Sequence, residues 1–86
     1  MSAKRLSNHK SAQCYVIEYD NGDYDFISYS TTVIKVRFKD GKRFIECTGL
    51  YSMTTRRQIG WFCYEYLPGV TYYDIKEIAH AGMVEK

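Results

Sequence analysis

Thr32-Val33-Ile34-Lys35-Val36-Arg37-Phe38-Lys39, followed at once by Asp40-Gly41, is the stretch that decides the fold. Its side chains alternate. Ile34, Val36 and Phe38 fall on one side of an extended chain and Lys35, Arg37 and Lys39 on the other, the pattern of a strand with one apolar and one basic face. Asp-Gly after such a run signals a hairpin, so the chain is expected to return over residues 43–48. Two registers fit. A two-residue loop sets Ile45 beside Val36 and Cys47 beside Ile34, but sends Phe44 to the basic face and Arg43 to the apolar one. A three-residue loop with Gly41 in a bulge pairs Phe38 with Phe44 and sets Glu46 against Val36.

Toward the N-terminus, residues 13–19 and 24–29 also read as strands, joined through Asp20-Asn21-Gly22-Asp23. A two-residue loop at Asn21-Gly22 places Tyr19 opposite Tyr24 and Ile17 opposite Phe26, with Tyr15 on the same core-directed face. Glu18 then opposes Asp25 on a face that has to be wet, because like charges directly opposite repel. Gly22 and Gly41 are both expected at positive φ. Residues 1–12 carry Lys4, Arg5 and Lys10 without an apolar period and read as a flexible basic tail. Residues 13–82 then form a single domain.

Toward the C-terminus the apolar period changes to that of a helix over residues 54–67, with Ile59, Phe62, Cys63 and Tyr66 on one stripe and Leu67 beside them. Ser52 or Thr54 caps its start and Pro68-Gly69 ends it. Trp61 and Tyr64 lie off the stripe, as a second buried face or as exposed aromatics. Gly60 costs about 1 kcal/mol against Ala in mid-helix and would let a strand or a partner approach closely. Thr71-Tyr72-Tyr73-Asp74 reads as a capping box opening a short helix, with Ile75, Ile78 and Ala79 inward and Gly82 as its stop. The last four residues are expected to fray. The fold class is α+β: about four antiparallel strands, one helix packed on one face, and a short C-terminal helix.

With 86 residues, the chain makes one small domain with a thin core. Nine tyrosines suit a sheet, and equally an interface. No apolar run reaches the roughly 18 residues of a membrane span and no secretory signal follows Lys4 and Arg5, so a soluble, cytoplasmic protein is expected. Cys14, Cys47 and Cys63 are widely spaced and odd in number, and read as small buried hydrophobes kept reduced. His9 and His80 lie far apart in sequence, and no metal or cofactor is expected.

No catalytic constellation is visible: no histidine in the folded middle, no phosphate loop, and no paired carboxylates except Glu18, Asp20, Asp23 and Asp25, read as a solvated acidic tip. An enzyme is not expected. Charge layout says more than the net +2. The first hairpin is acidic and the second is rich in Lys and Arg, so an electrically two-sided molecule is expected, able to self-associate as a homodimer. Tyr51-Ser52-Met53-Thr54-Thr55-Arg56-Arg57 sets two arginines at the positive end of a helix dipole, where acids are preferred. Either a ligand or an acidic surface compensates them, or solvent does. Lys35, Arg37 and Lys39 with Tyr51, Ser52, Thr54, Thr55, Arg56, Arg57 and Trp61 are the candidate binding residues. A basic sheet face near Arg56 and Arg57 would track a phosphate backbone, with Tyr29, Tyr51 or Phe44 for stacking.

Ser28-Tyr29-Ser30-Thr31-Thr32 and Tyr51-Ser52-Met53-Thr54-Thr55-Arg56-Arg57, with Phe62 and Tyr72-Tyr73 following, resemble a family of small uncharacterised proteins encoded by phages and mobile elements of Gram-positive bacteria. The similarity spans roughly residues 25–80. It implies a genomic setting and no active site. Small proteins of such origin often bind a host protein or nucleoprotein complex in the host cytoplasm, anti-CRISPR inhibitors of host defence among them, so the resemblance implies a non-catalytic binder. A nucleic-acid-binding or regulatory module using the basic sheet face is the alternative.

Overall fold

The computed structural model describes residues 1–10 and 12–86; Ser11, inside the expected tail, lies outside the described residues. Strands β1 (Ser2–Lys4), β2 (Cys14–Glu18), β3 (Tyr24–Ser28), β4 (Thr31–Lys39) and β5 (Lys42–Cys47) precede helices α1 (Met53–Tyr66) and α2 (Tyr72–Ile78), and β6 (Val84–Glu85) closes the chain. The sheet order is the chain order, β1 to β6, with every pairing antiparallel. The class is α+β as the sequence indicates, with six strands rather than about four.

Both extra strands come from ends expected to be loose. The N-terminal segment is not a free tail. Its strand pairs with β2, Leu6 is completely buried in the core, and the Ser7 N–H and hydroxyl both donate to the Glu65 carboxylate of α1 at 2.8 and 3.0 Å. His9 then stacks on Trp61, ring centroids 3.7 Å apart. The buried leucine, the strand ladder, the Ser7–Glu65 bonds and the His9–Trp61 stack together oppose the entropy of ordering this segment, and a polar run with Leu6 as its one large apolar residue beyond Met1 shows no period that would reveal it. At the other end β6 pairs with β5 instead of fraying, and the Arg43 side chain donates twice to the Lys86 carbonyl, at 3.0 and 2.6 Å.

The second hairpin takes the two-residue loop: Val36 pairs with Ile45 and Ile34 with Cys47, with Asp40 and Gly41 both at positive φ. The first hairpin departs from expectation by one residue. Val16, not Ile17, lies opposite Phe26, and Glu18 faces Tyr24 rather than Asp25. Its loop is Asp20-Asn21-Gly22, closed by the Tyr19 N–H on the Asp23 carbonyl (2.8 Å) and the Gly22 N–H on the Tyr19 carbonyl (3.0 Å), with Gly22 at φ 95°. A slip of one residue turns a strand over. Cys14 and Val16 therefore enter the core, while Tyr15 and Ile17 go to the far face and stay half-buried. A bulge against Phe26 and Ile27 lets the consecutive Val33 and Ile34 both be buried.

Helix α1 lies across the face lined by Val16, Phe26, Ile34, Val36 and Ile45. Phe62 stacks on Phe26 at 4.7 Å and on Tyr66 at 5.3 Å. Ser52 caps it, accepting from the Thr55 N–H at 3.2 Å. The second helix opens on the expected capping box of Thr71 and Asp74 and buries Ile75 and Ile78. No helix among the described residues is long and apolar enough to cross a membrane.

Candidate functional site

The two tyrosine–serine pieces singled out in the sequence, 23 residues apart, meet at the start of α1. Ser28, the last residue of β3, points toward α1 and donates to the Gln58 side-chain oxygen at 2.5 Å, while its hydroxyl lies 3.1 Å from that of Thr55. Thr55 is in turn 3.2 Å from the Ser52 hydroxyl. Ser28, Thr55 and Gln58 are buried, so this is a satisfied internal chain of hydroxyls running from the cap into the core. It joins β3 to α1 through directional contacts.

Tyr29 and Tyr51 are the residues adjacent to Ser28 and Ser52 at the ends of this chain. Both adopt left-handed backbone geometry, φ 56° and 53°, and both remain 54% exposed. That region is costly for a bulky side chain, of order 1 kcal/mol or more, and glycine or asparagine normally fills it. Neither ring is spent on the core. The Tyr51 hydroxyl is 2.7 Å from that of Thr48, and the ring lies over Gly49, where a Cβ would come within 3.2 Å of it. Glycine at 49 is what lets Tyr51 lie down. Its ring is thus held in one orientation with an open face.

Beside these rings, Met53, Thr54, Arg56 and Arg57 are exposed on the first turns of α1, and neither arginine forms an ion pair among the described residues. The Arg56 guanidinium rests 3.9 Å from the Met53 sulfur. Trp61 is half-buried beneath His9. The structure therefore gathers Tyr51, Ser52, Thr54, Thr55, Arg56 and Arg57 at one end of α1, with Tyr29 added. Tyr29 entered the sequence reading as a stacking option and as part of the resembling Ser28–Thr32 piece, not among the candidate binding residues.

Lys35, Arg37 and Lys39 are elsewhere. They alternate with Ile34 and Val36, which face α1, so they point from the opposite side of the sheet. Arg56 and Arg57 are not neighbours of this basic face, as expected from sequence, but lie across the molecule from it. Nor is the face an open basic field. Arg37 binds Asp25 at 2.7 Å, approaches Asp23 at 4.0 Å and sits 5.7 Å over the Tyr19 ring. Lys35 lies in register between Asp25 and Glu46. Because the acidic and basic strands are adjacent in the sheet, their charges pair instead of separating. Asp25, read as part of a solvated tip, is buried and also accepts from the Tyr19 hydroxyl at 2.8 Å, which pushes the Tyr19 pKa up. A shallow concavity of about 520 Å³ at this hairpin is lined by Tyr19, Asp20, Asn21, Asp23 and Arg37, but its guanidinium is already engaged.

For chemistry the described residues offer little. Cys14, Cys47 and Cys63 are free thiols, all buried, and burial raises the pKa of each, Cys63 to about 12. A thiol held protonated is a poor nucleophile and a poor metal ligand. No group of three or more His, Cys, Asp or Glu among the described residues is placed to hold a metal ion.

A family of unknown function, DUF8033, matches residues 1–77. The chain belongs to that family. The match begins at the first residue, so the family's domain includes the β1 strand and the segment carrying Leu6, Ser7 and His9. No curated protein and no solved structure matches the chain.

Proposed function

We propose that the protein is a non-catalytic binding protein that engages another protein, or a nucleoprotein complex, through the Tyr29, Tyr51 and Arg56 surface at the start of α1. One observation carries this reading. Two exposed tyrosines hold costly left-handed backbone geometry at the ends of a buried hydroxyl chain, and the core uses neither ring. Rigid, half-exposed tyrosine beside arginine is the composition of binding hot spots, because such side chains bring large contact area with little entropy to lose. The phage and mobile-element resemblance supports a host complex as the target, with inhibition of a defence complex as the most specific form. Direct nucleic-acid binding through Lys35, Arg37 and Lys39 has less support, since Arg37 is paired and α1 faces the other way.

The test is capture from a bacterial lysate with and without nuclease, using the parent and a Tyr29→Ala, Tyr51→Ala double variant. The expected outcome is a protein partner that survives nuclease and is lost in the variant while its melting temperature stays near the parent's. Material released by nuclease, or capture that ignores both tyrosines, overturns the reading.

A further inference from the structure

The outer line of α1 is not used by anything in the chain. Met53, Arg57, Gly60 and Tyr64 follow one another at spacings of four, three and four, one straight line along the solvent side of the helix. Met53 is 71% and Tyr64 86% exposed. Gly60, at the middle of α1, has no left-handed φ, and a Cβ built on it would meet nothing within 4 Å. The fold would accept alanine there and gain helix propensity, so no contact inside the chain accounts for this glycine. It leaves a notch between Arg57 and Tyr64.

The charges of the helix are also left open. Its first turn has no acid and its last turn no base, the reverse of what the macrodipole favours. Arg56 and Arg57 mark the N-terminal half; Glu65, held in place by Ser7, marks the other.

We infer that α1 is a contact between two copies of this chain, packed antiparallel about a two-fold axis that passes beside Gly60. A two-fold interface needs one patch complementary to itself, and this line is. Turned end for end, Arg57 of one copy lies over the Tyr64 ring of the other, Met53 reaches Pro68, and the two glycine notches meet where the helices cross. Each positive N-terminal end, which has no acid of its own, then lies beside the other copy's negative C-terminal end, which has no base. His9 covers Trp61 on the flank and leaves the line clear. Arg56, Tyr29 and Tyr51 stay outside the contact, so a dimer presents two copies of the proposed partner surface.

Sedimentation equilibrium on the full chain tests this. The parent is expected to be a concentration-dependent dimer of the 10.1 kDa chain. Gly60→Gln fills the notch from a Cβ that meets nothing in its own chain, and Tyr64→Ala removes an exposed ring. Each is expected to weaken association about ten-fold or more, with no loss of melting temperature at concentrations dilute enough for the parent to be monomeric. Arg57→Glu should do the same, and combining it with Tyr64→Lys should restore the dimer, because the two positions are too far apart on one helix to pair and meet only between copies. A parent that stays monomeric, a dimer indifferent to both Gly60→Gln and Tyr64→Ala, or a double variant no better than Arg57→Glu overturns the inference.

Discussion

At Asp40-Gly41 both loop residues take positive φ, 54° and 75°, whereas at Asn21-Gly22 only the glycine does, at 95°. The first geometry closes a hairpin in two residues; the second needs three and moves the pairing by one. A doublet of this kind announces a turn in either case, but the side chains that end up inside depend on which loop forms. In the second hairpin the choice leaves Ile34, Val36, Ile45 and Cys47 under α1. In the first it replaces Tyr15 and Ile17 with the smaller Cys14 and Val16, beneath a layer already filled by Phe26, Phe62, Tyr24 and Tyr66. A core packed to crystal-like density accepts the smaller pair.

The sharpest way to break this comparison is to charge the two alternative core positions of β2. Val16→Lys places an unpaired ammonium in the core and is expected to leave the protein unfolded by circular dichroism, whereas Ile17→Lys, half-buried on the far face and in register with Asp25, should cost only about 1 kcal/mol. The two-residue loop at Asn21-Gly22 requires the reverse order. Next in size is the charge cluster on the far face. Arg37→Ala leaves Asp25 buried with the Tyr19 hydroxyl and should cost about 2–3 kcal/mol in urea denaturation, while Lys35→Ala stays within about 0.5 kcal/mol.

Smaller and opposite effects are expected at the loops themselves. Asp40→Gly relieves a left-handed non-glycine residue and should leave stability unchanged or slightly higher. Asn21→Gly relieves nothing, frees the unfolded chain and removes the hydrogen bond that the Asp23 N–H donates to the Asn21 Oδ1 at 3.1 Å, and should lower it by about 1 kcal/mol. Equal responses would mean that the two loops share a geometry.

The gentlest probe is pH. Only the slipped register turns Glu18 toward α1, where it accepts from the Tyr66 hydroxyl at 3.3 Å. Burial, and then Glu18, raise the Tyr66 pKa from 10.0 to about 12, and burial raises Cys63 from 9.0 to about 12. Between the unfolded and folded values the native state keeps protons that the unfolded chain has released. The stabilisation is therefore complete below about pH 9 and is lost as pH rises toward 12. Melting temperature should be flat up to about pH 9 and fall above it. In Glu18→Gln the Tyr66 part of that fall should be shallower; an unchanged profile would remove Glu18 from the face of α1.

Much of this was legible beforehand for local reasons. The stripe of Ile59, Phe62 and Cys63, the Ser52 cap and the Thr71–Asp74 box depend on residues three or four apart, and neighbours along the chain specify them. The candidate site was half legible. Arg56, Arg57, Tyr51 and Ser52 are contiguous, but their union with Ser28 and Tyr29 requires β3 to lie beneath the start of α1. Lys35, Arg37 and Lys39 share a face in sequence, yet which surface that face becomes is settled only when α1 chooses the other side.

By itself the sequence determined that this is an α+β chain with two glycine-turned hairpins and a capped amphipathic helix, because periodicity, turn chemistry and capping are short-range. Tertiary structure alone decided the register of β2, the pairing of Arg37 with Asp25, and the ordering of both ends through Leu6 and β6. The physical reason is common to all three: each is a competition between near-equal local choices, and only packing against residues distant in the chain supplies the few kcal/mol that separate them.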